Sequence, residues 1–175
     1  MSKTFLTSDP HWGHKGVTHF TRQDGSPLRP WDDPDEMDEA MVDNWNKVVN
    51  PEDRVYILGD LAINRRCIPT IARCNGRKKL IKGNHDIFKL KDYEPYFDDI
   101  LAYHVLDKFL LCHIPVHPNQ IARWCEGNIH GHLHSNLVLK EDGTPDERYI
   151  NVCVEHTNFT PIDFEEIKDG WRPYK

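Results

Sequence analysis

The chain has 175 residues, 38% of them apolar and 29% charged, with a formal net charge of −6. That length fits one domain with a real core, and no segment approaches the roughly 20 apolar residues that a membrane span needs. The acidic balance argues against a module that grips long nucleic acid, which is usually basic, although bound divalent cations would add positive charge that a formal count omits.

Lys3 to Ser8 reads as a first strand, ended by Asp9-Pro10-His11 because proline cannot continue the ladder. Its residues carry no long apolar stretch and no cleavage-site pattern, so a cytoplasmic protein is expected. Trp12 to Gly16 is a turn, Val17 to Phe20 a short helical turn, and residues 22–34 an ordered loop rich in Asp, Gly, Pro and Ser. Asp33-Pro34-Asp35-Glu36 starts a helix, and Met37, Met41, Val42, Trp45 and Val48 follow at helical spacing as a core-facing stripe. Arg54 to Leu58 is a buried parallel strand ending at Gly59-Asp60. Residues 66–75 suggest a helix interrupted by Pro69, and Lys78 to Lys82 a third strand ending at Gly83-Asn84-His85-Asp86. This alternation predicts an α/β fold in a single domain over residues 1–175.

Beyond Phe97 the pattern changes. Ile100 to Leu106 and Phe109 to His113 read as a hairpin turned by Asp107-Lys108. Gly127 to His130 is a short strand leading to Gly131-His132-Leu133-His134. A last hairpin is expected between Leu137–Lys140 and Arg148–Val154, then a short helix over Asp163 to Lys168. The five cysteines, Cys67, Cys74, Cys112, Cys125 and Cys153, are odd in number and lack a Cys-x-x-Cys pair. They suggest neither a zinc ribbon nor a disulfide framework, and are expected to be reduced thiols, mostly buried.

Five strand ends carry polar residues of one chemical kind: Asp9 with His11, Asp60, Asn84 with His85 and Asp86, His113, and His132 with His134. In open α/β sheets ligands bind outside the carboxyl ends of the strands, so strands of one direction would bring these groups to one rim. Gly59, Gly83 and Gly131 each precede such a residue and allow a sharp turn. Imidazole, carboxylate and one amide oxygen, without thiolate, suit Mn²⁺, Fe²⁺/³⁺, Zn²⁺ or Ni²⁺.

The ordered set Asp9-x-His11, Gly59-Asp60, Gly83-Asn84-His85-Asp86, His113, Gly131-His132-x-His134 resembles the calcineurin-like metallophosphoesterases, over residues 3 to about 156. The resemblance implies a four-layer α/β/β/α sandwich of two mixed sheets flanked by helices, and a centre of two divalent or transition metal ions, with manganese first and iron, zinc or nickel as alternatives. It implies Asp9, His11 and His134 on one metal, Asn84, His113 and His132 on the other, and Asp60 between them. His85 would be the acid facing the substrate, oriented by Asp86, and a metal-activated hydroxide would attack phosphorus. The segment after Asp60 and the Asp86 in place of Glu depart from the Ser/Thr protein phosphatases. The chain is short, leaves little room for a cap, and looks like the small bacterial or phage-type phosphoesterases, which also carry a second His, here His14. A phage-encoded chain would act in the host cytoplasm.

His14, Arg65 and Arg123 are candidate substrate-binding residues, with Arg66 and His117 behind them. Trp12 and Trp124 could stack a base, though packing is the simpler reading. The expected activity is hydrolysis of a small phosphodiester, a nucleotide or cyclic nucleotide included, by a monomer or small homo-oligomer, with no membrane and no long nucleic acid as partner. The alternatives are a monoesterase of small substrates and a non-catalytic scaffold.

Overall fold

The computed structural model describes residues 2–121 and 124–174. Strand β1 (Thr4–Thr7) alternates its side chains between two apolar clusters, Phe5 on one face and Leu6 on the other. β2 (Arg54–Ile57) does the same with Val55 and Ile57 against Tyr56, and β3 (Arg77–Ile81) with Leu80 against Ile81. Both faces of the sheet are thus buried at its centre, which is why β2 reads as a near-continuous apolar run. β1, β2, β3 and β4 (Asp99–Leu101) are parallel, and the sheet order is β4-β3-β2-β1-β9, with β9 (Ile162–Asp163) antiparallel at the edge.

Helix α1 (Pro34–Val48) covers one face through Met37, Met41, Val42 and Trp45. Asp33 caps it, accepting from the Asp35 and Glu36 amides at 2.7 and 3.2 Å, and Pro34 stands where no N–H is needed. Burying each of those four side chains is worth roughly 1.5–3 kcal/mol. The segment around Pro69 is a 3-10 helix (Arg65–Arg73) rather than an α-helix. Three residues per turn aligns Ile68 with Ile71 in the core and tolerates the missing Pro69 amide.

The other face of the first sheet meets a second sheet of β5 (His104–Leu106), β6 (Phe109–Leu111), β7 (Gly127–His130) and β8 (Tyr149–Asn151), in that order. Phe109, Leu111, Ile129, Ile150 and Val152 share one cluster with Leu6, Tyr56, Leu58 and Ile81. Helix α2 (Phe164–Lys168) closes its end with Phe164 and Ile167. Both sheets are mixed, and the molecule is α/β. The outer face of the second sheet is covered by loops: the Val116 amide donates to Asn128, and Asn151 donates to the carbonyls of His134 and Asn136.

Two expectations fail here. The run from Ile100 to Leu106 is not one hairpin arm. It divides at Ala102-Tyr103, β4 joining the first sheet and β5 the second, so one apolar stretch serves two sheets. The Asp107-Lys108 turn does form, with both residues at positive φ as a type I′ hairpin turn requires. The last hairpin shrinks to one bridge, Leu139 to Pro145, and β8 pairs in parallel with β7 instead. Among the described residues no helix is long and apolar enough to cross a membrane.

Asp38 ties α1 to the loop after β1, its Oδ2 accepting the Gly13 amide at 2.8 Å. Burial pushes this carboxyl up to about 7, against the pull of that amide. A carboxyl whose folded pKa lies above its unfolded value stabilises the fold at low pH and loses that contribution as pH rises through the folded value. Asp38→Asn should therefore raise the unfolding free energy, measured by denaturant titration at pH 8, by on the order of 1–2 kcal/mol, with the gain narrowing toward pH 5.

Candidate metal centre

The carboxyl ends of β1, β2 and β3 meet those of β6, β7 and β8 at one rim. Pairing continues past the strands: the Asp9, His11 and Trp12 amides donate to the carbonyls of Gly59, Asp60 and Leu61. A bridge from Ser8 to Cys153 joins the two sheets there. Asp9, His11, Asp60, His132 and His134 all have φ between 47° and 68°. Left-handed backbone costs about 1–2 kcal/mol per non-glycine residue and clusters where function demands it. Gly83 and Gly131 let the loops close up: a Cβ on the first would strike Asp60, and on the second the Ser8 hydroxyl and Asp9 carboxylate.

Two groups of donors result, Asp9 with His11 and His134, and Asp60 with His113 and His132, the donor atoms of each lying within 4.8 Å of one another. Asp60 touches both: its Oδ2 is 3.6 Å from His11 Nε2 and 3.4 Å from His113 Nε2. Asn84 completes the second group, its Oδ1 standing 2.9 Å from both His113 Nε2 and His132 Nδ1. His113 Nδ1 must donate to the Leu58 carbonyl, 2.7 Å away. Burial lowers the His113 pKa, but Asp60 and Asp9 outweigh it and raise it; a neutral His113 would offer its Nε2 lone pair, beside the Asn84 oxygen, to a metal ion.

The first group gives a second sign that these residues fit metal. Asp9 is fully buried, and its Oδ2 accepts from the Ser8 hydroxyl at 2.5 Å, the His132 amide at 2.9 Å and the Cys153 thiol at 3.2 Å. Its Oδ1 has no hydrogen-bond partner, nor has either nitrogen of buried His11. Orphaned polar atoms in a buried site cost several kcal/mol unless something binds them. Burial works to raise both the Asp9 and Asp60 carboxyls, but His11, His113 and His134 hold Asp9, and His113 with the His85 amide holds Asp60, below the usual carboxylate range.

His85 stands beside these groups. Its amide donates to Asp60 Oδ1 at 2.8 Å, its Nε2 is 4.0 Å from Asp60 Oδ2, and its side chain is 53% exposed. Asp86 does not orient it, contrary to expectation. The buried Asp86 carboxylate accepts the amides of Asp60, Leu61 and Gly83 at 2.8–3.0 Å, which locks the β2 and β3 loops together. It is a structural clamp. His14 lies at the edge, its ring 5.6 Å from His11, with burial, then the His11 charge, lowering its pKa to about 4. Arg65 is not brought to the cluster: its guanidinium is taken by Asp92. Arg123 lies outside the described residues. His117 caps the 3-10 turn Pro118–Gln120, Trp12 is in the core, and Trp124 is exposed.

Sequence reasoning missed Arg29 and Glu155. The Arg29 guanidinium is wholly buried and donates to the Asp9 and Pro10 carbonyls at 2.7 Å and to Glu155 at 2.8–2.9 Å. Glu155 in turn accepts His134 Nδ1 at 3.1 Å, which leaves Nε2 directed at Asp9. Burial works against the Glu155 charge, but Arg29 and His134 hold its pKa below the ordinary value. Glu155 follows an apolar strand as the other strand-end acids do, so a signal existed; Arg29, in a loop, offered none. Glu155→Gln should weaken metal binding at the Asp9 group about 10–100-fold by freeing the His134 ring. It should also lower metal-free stability by about 3 kcal/mol by leaving Arg29 a buried, uncompensated cation. Metal titration and denaturation with chelator measure the two effects separately.

No family model matches the chain. It is 31% identical over 178 residues to the uncharacterized protein MJ1445 of Methanocaldococcus jannaschii, covering 95% of this chain and 90% of that one. It is 28% identical over 200 residues to the Gene 66 protein of Mycobacterium phage D29, covering 93% and 94% of the two chains. The crystal structure of the protein of unknown function AQ665 from Aquifex aeolicus has the same fold, with a TM-score of 0.69, 24% identity, and coverage of 97% and 99%. The extent of the first likeness is enough to say that this chain belongs to the same family as MJ1445.

Proposed function

We propose that this chain is a dinuclear metal-dependent phosphoesterase, acting by preference on small phosphodiesters, with a fold that is a variant of the four-layer α/β/β/α sandwich in which loops stand for the last helical layer. The observation that carries the reading is the pair of donor groups with Asp60 reaching both. Asp9, His11 and His134 would hold one ion, Asn84, His113 and His132 the other, and Asp60 would serve both; the donor set suits Mn²⁺, with Fe, Zn or Ni as alternatives. When bound, such a pair supplies Lewis-acid charge for the phosphoryl oxygens and a nucleophilic water.

The chain's own residues do the rest. The Arg29–Glu155 pair fixes the His134 ring, and the Asp86 clamp fixes the turn that carries Asn84 and His85. His85, half exposed and beside Asp60, would donate a proton from its ring to the leaving oxygen. The open face around it leaves room for the second ester group of a diester.

The test loads the protein with Mn²⁺, Ni²⁺ or Mg²⁺ in parallel. It then offers 2′,3′- and 3′,5′-cyclic nucleotides, bis-aryl phosphodiesters and monoesters, with metal content measured on the same samples. About two ions per chain and turnover of the aryl diester are expected. Turnover of monoesters alone would replace the diester preference. Two bound ions with no ester cleaved would leave a metal-binding scaffold.

A further inference from the structure

A cavity of about 720 Å³ opens beside His14, lined by Gly13, His14, Lys15, Asn64 and Arg66, with Pro34, Asp35, Gly16 and Cys67 completing its wall. It adjoins the metal centre through one side chain, since the ring of His14 is also 5.6 Å from that of His11. Its chemistry differs from what a nucleobase needs. The small imidazole of His14 is the one ring in its lining, which holds no Phe, Tyr or Trp. Base recognition without sequence readout rests chiefly on broad aromatic platforms, and no Phe, Tyr or Trp supplies one here.

Two cations face this space with one carboxylate, Asp35. Among the described residues neither Lys15 nor Arg66 has a carboxylate within 4.0 Å, whereas Arg65, next in the chain, is held by Asp92, and Arg73 by Glu39. In a chain of net charge −6, two cations that line one cavity and have no carboxylate partner among the described residues mark a place for an anion. Arginine adds a planar fork that matches carboxylate or phosphate oxygens. The Asn64 amide, which reaches the Gly13 carbonyl at 3.2 Å, holds the loop that forms the floor.

We infer that this cavity receives one ester substituent of the substrate, and that the substituent is compact, hydrophilic and carries its own anionic group, gripped by Lys15 and Arg66. The inference rests on the phosphoesterase reading and narrows its substrate class, away from nucleosides and toward phosphodiesters with a second phosphate or a carboxylate.

The test uses three esters that release the same 4-nitrophenolate: 4-nitrophenyl phosphates whose other ester group is ethyl, 2-carboxyethyl or 2-phosphoethyl. The metal-loaded wild type should turn over one or both anionic esters with kcat/KM about tenfold above the ethyl ester, and the better of the two names the anion. Arg66→Gln and Lys15→Gln should each remove most of that advantage through KM, with a much smaller effect on the ethyl ester. Equal losses on all three esters, or no advantage for the anionic ones, would overturn the inference while leaving the phosphoesterase reading intact. Calorimetry with 2-carboxyethylphosphonate, which cannot be hydrolysed, separates the remaining case. If no ester is cleaved but this probe binds the wild type and binds Arg66→Gln about tenfold more weakly, the cavity stands and the enzyme does not. If the probe binds both alike or neither, the cavity falls too.

Discussion

Asp60→Asn is expected to lower ester hydrolysis by at least about 10³-fold, the scale of losing a principal electrostatic element of a reaction centre. The substitution is nearly isosteric. An asparagine oxygen can still accept the His85 amide that Asp60 Oδ1 accepts at 2.8 Å, so the turn between β3 and the site should keep its shape. What disappears is the charge at Oδ2, which faces His11, His113 and His85 at 3.4–4.0 Å. Among the described residues no other carboxylate lies within 4.0 Å of imidazoles from both donor groups. With Asp60 neutral, the Asn84–His113–His132 group has no anion of its own, and its ion should be lost first. Thermal unfolding provides a readout that does not depend on turnover. An ion at about a hundred times its Kd stabilises by about 2.7 kcal/mol, or roughly 5–10 °C for a chain of this size. The wild type should show that rise with Mn²⁺ and the variant only part of it, while the two should melt within a few degrees of each other in chelator. A variant that binds two ions as the wild type does and still hydrolyses esters would remove Asp60 from the centre.

The first half of the fold was legible because its local and global signals agree. The α1 stripe of Met37, Met41, Val42 and Trp45 has one period, one cap and one buried face. The strands before Asp9, Asp60 and Asn84 are short segments with apolar residues toward their carboxyl ends, stopped by glycine or proline, and the parallel ladder follows. The second half was harder because its strands are three or four residues long, too short for a period to declare which sheet they join. A break at Ala102-Tyr103 looks like part of a strand until two sheets compete for its ends. The same holds for β8, which pairs with β7 and not, through the turn that precedes it, with the Leu137–Lys140 segment.

Within the site, the donors at strand ends could be read from the sequence, and the groups that hold them could not. Asp86 shows why. Beside His85 in the chain it looks like that residue's partner, yet the turn sends its carboxylate inward to three amides, where burial raises its pKa. Chain adjacency says little about direction in a tight turn. Arg29 is the opposite case: 20 positions from Asp9, it meets that residue's carbonyl because a Pro- and Gly-rich loop folds back over the rim. Such supporting contacts also explain how five left-handed residues persist at the rim. Backbone strain is held where buried hydrogen bonds over-determine it, and the Arg29, Asp86 and Ser8 contacts supply those bonds.

His85→Asn should separate proton transfer from metal binding. The His85 ring belongs to neither donor group, and its side chain is half exposed, so its loss opens no cavity and frees no ligand. Metal content and melting temperature should therefore match the wild type. Turnover should fall by about 10²–10⁴-fold, the range for removing a positioned acid. The leaving group decides where in that range. A 4-nitrophenolate departs without a proton, so aryl diesters should lose least. An alkoxide is strongly basic and needs the proton as the bond breaks, so alkyl esters should lose most. The ratio of the two losses is the signature of a general acid, because a residue that only bound the phosphoryl group would slow both substrates alike. Equal losses would give His85 the binding role instead, and a variant as active as the wild type on alkyl esters would leave the exposed ring beside Asp60 without part in the reaction.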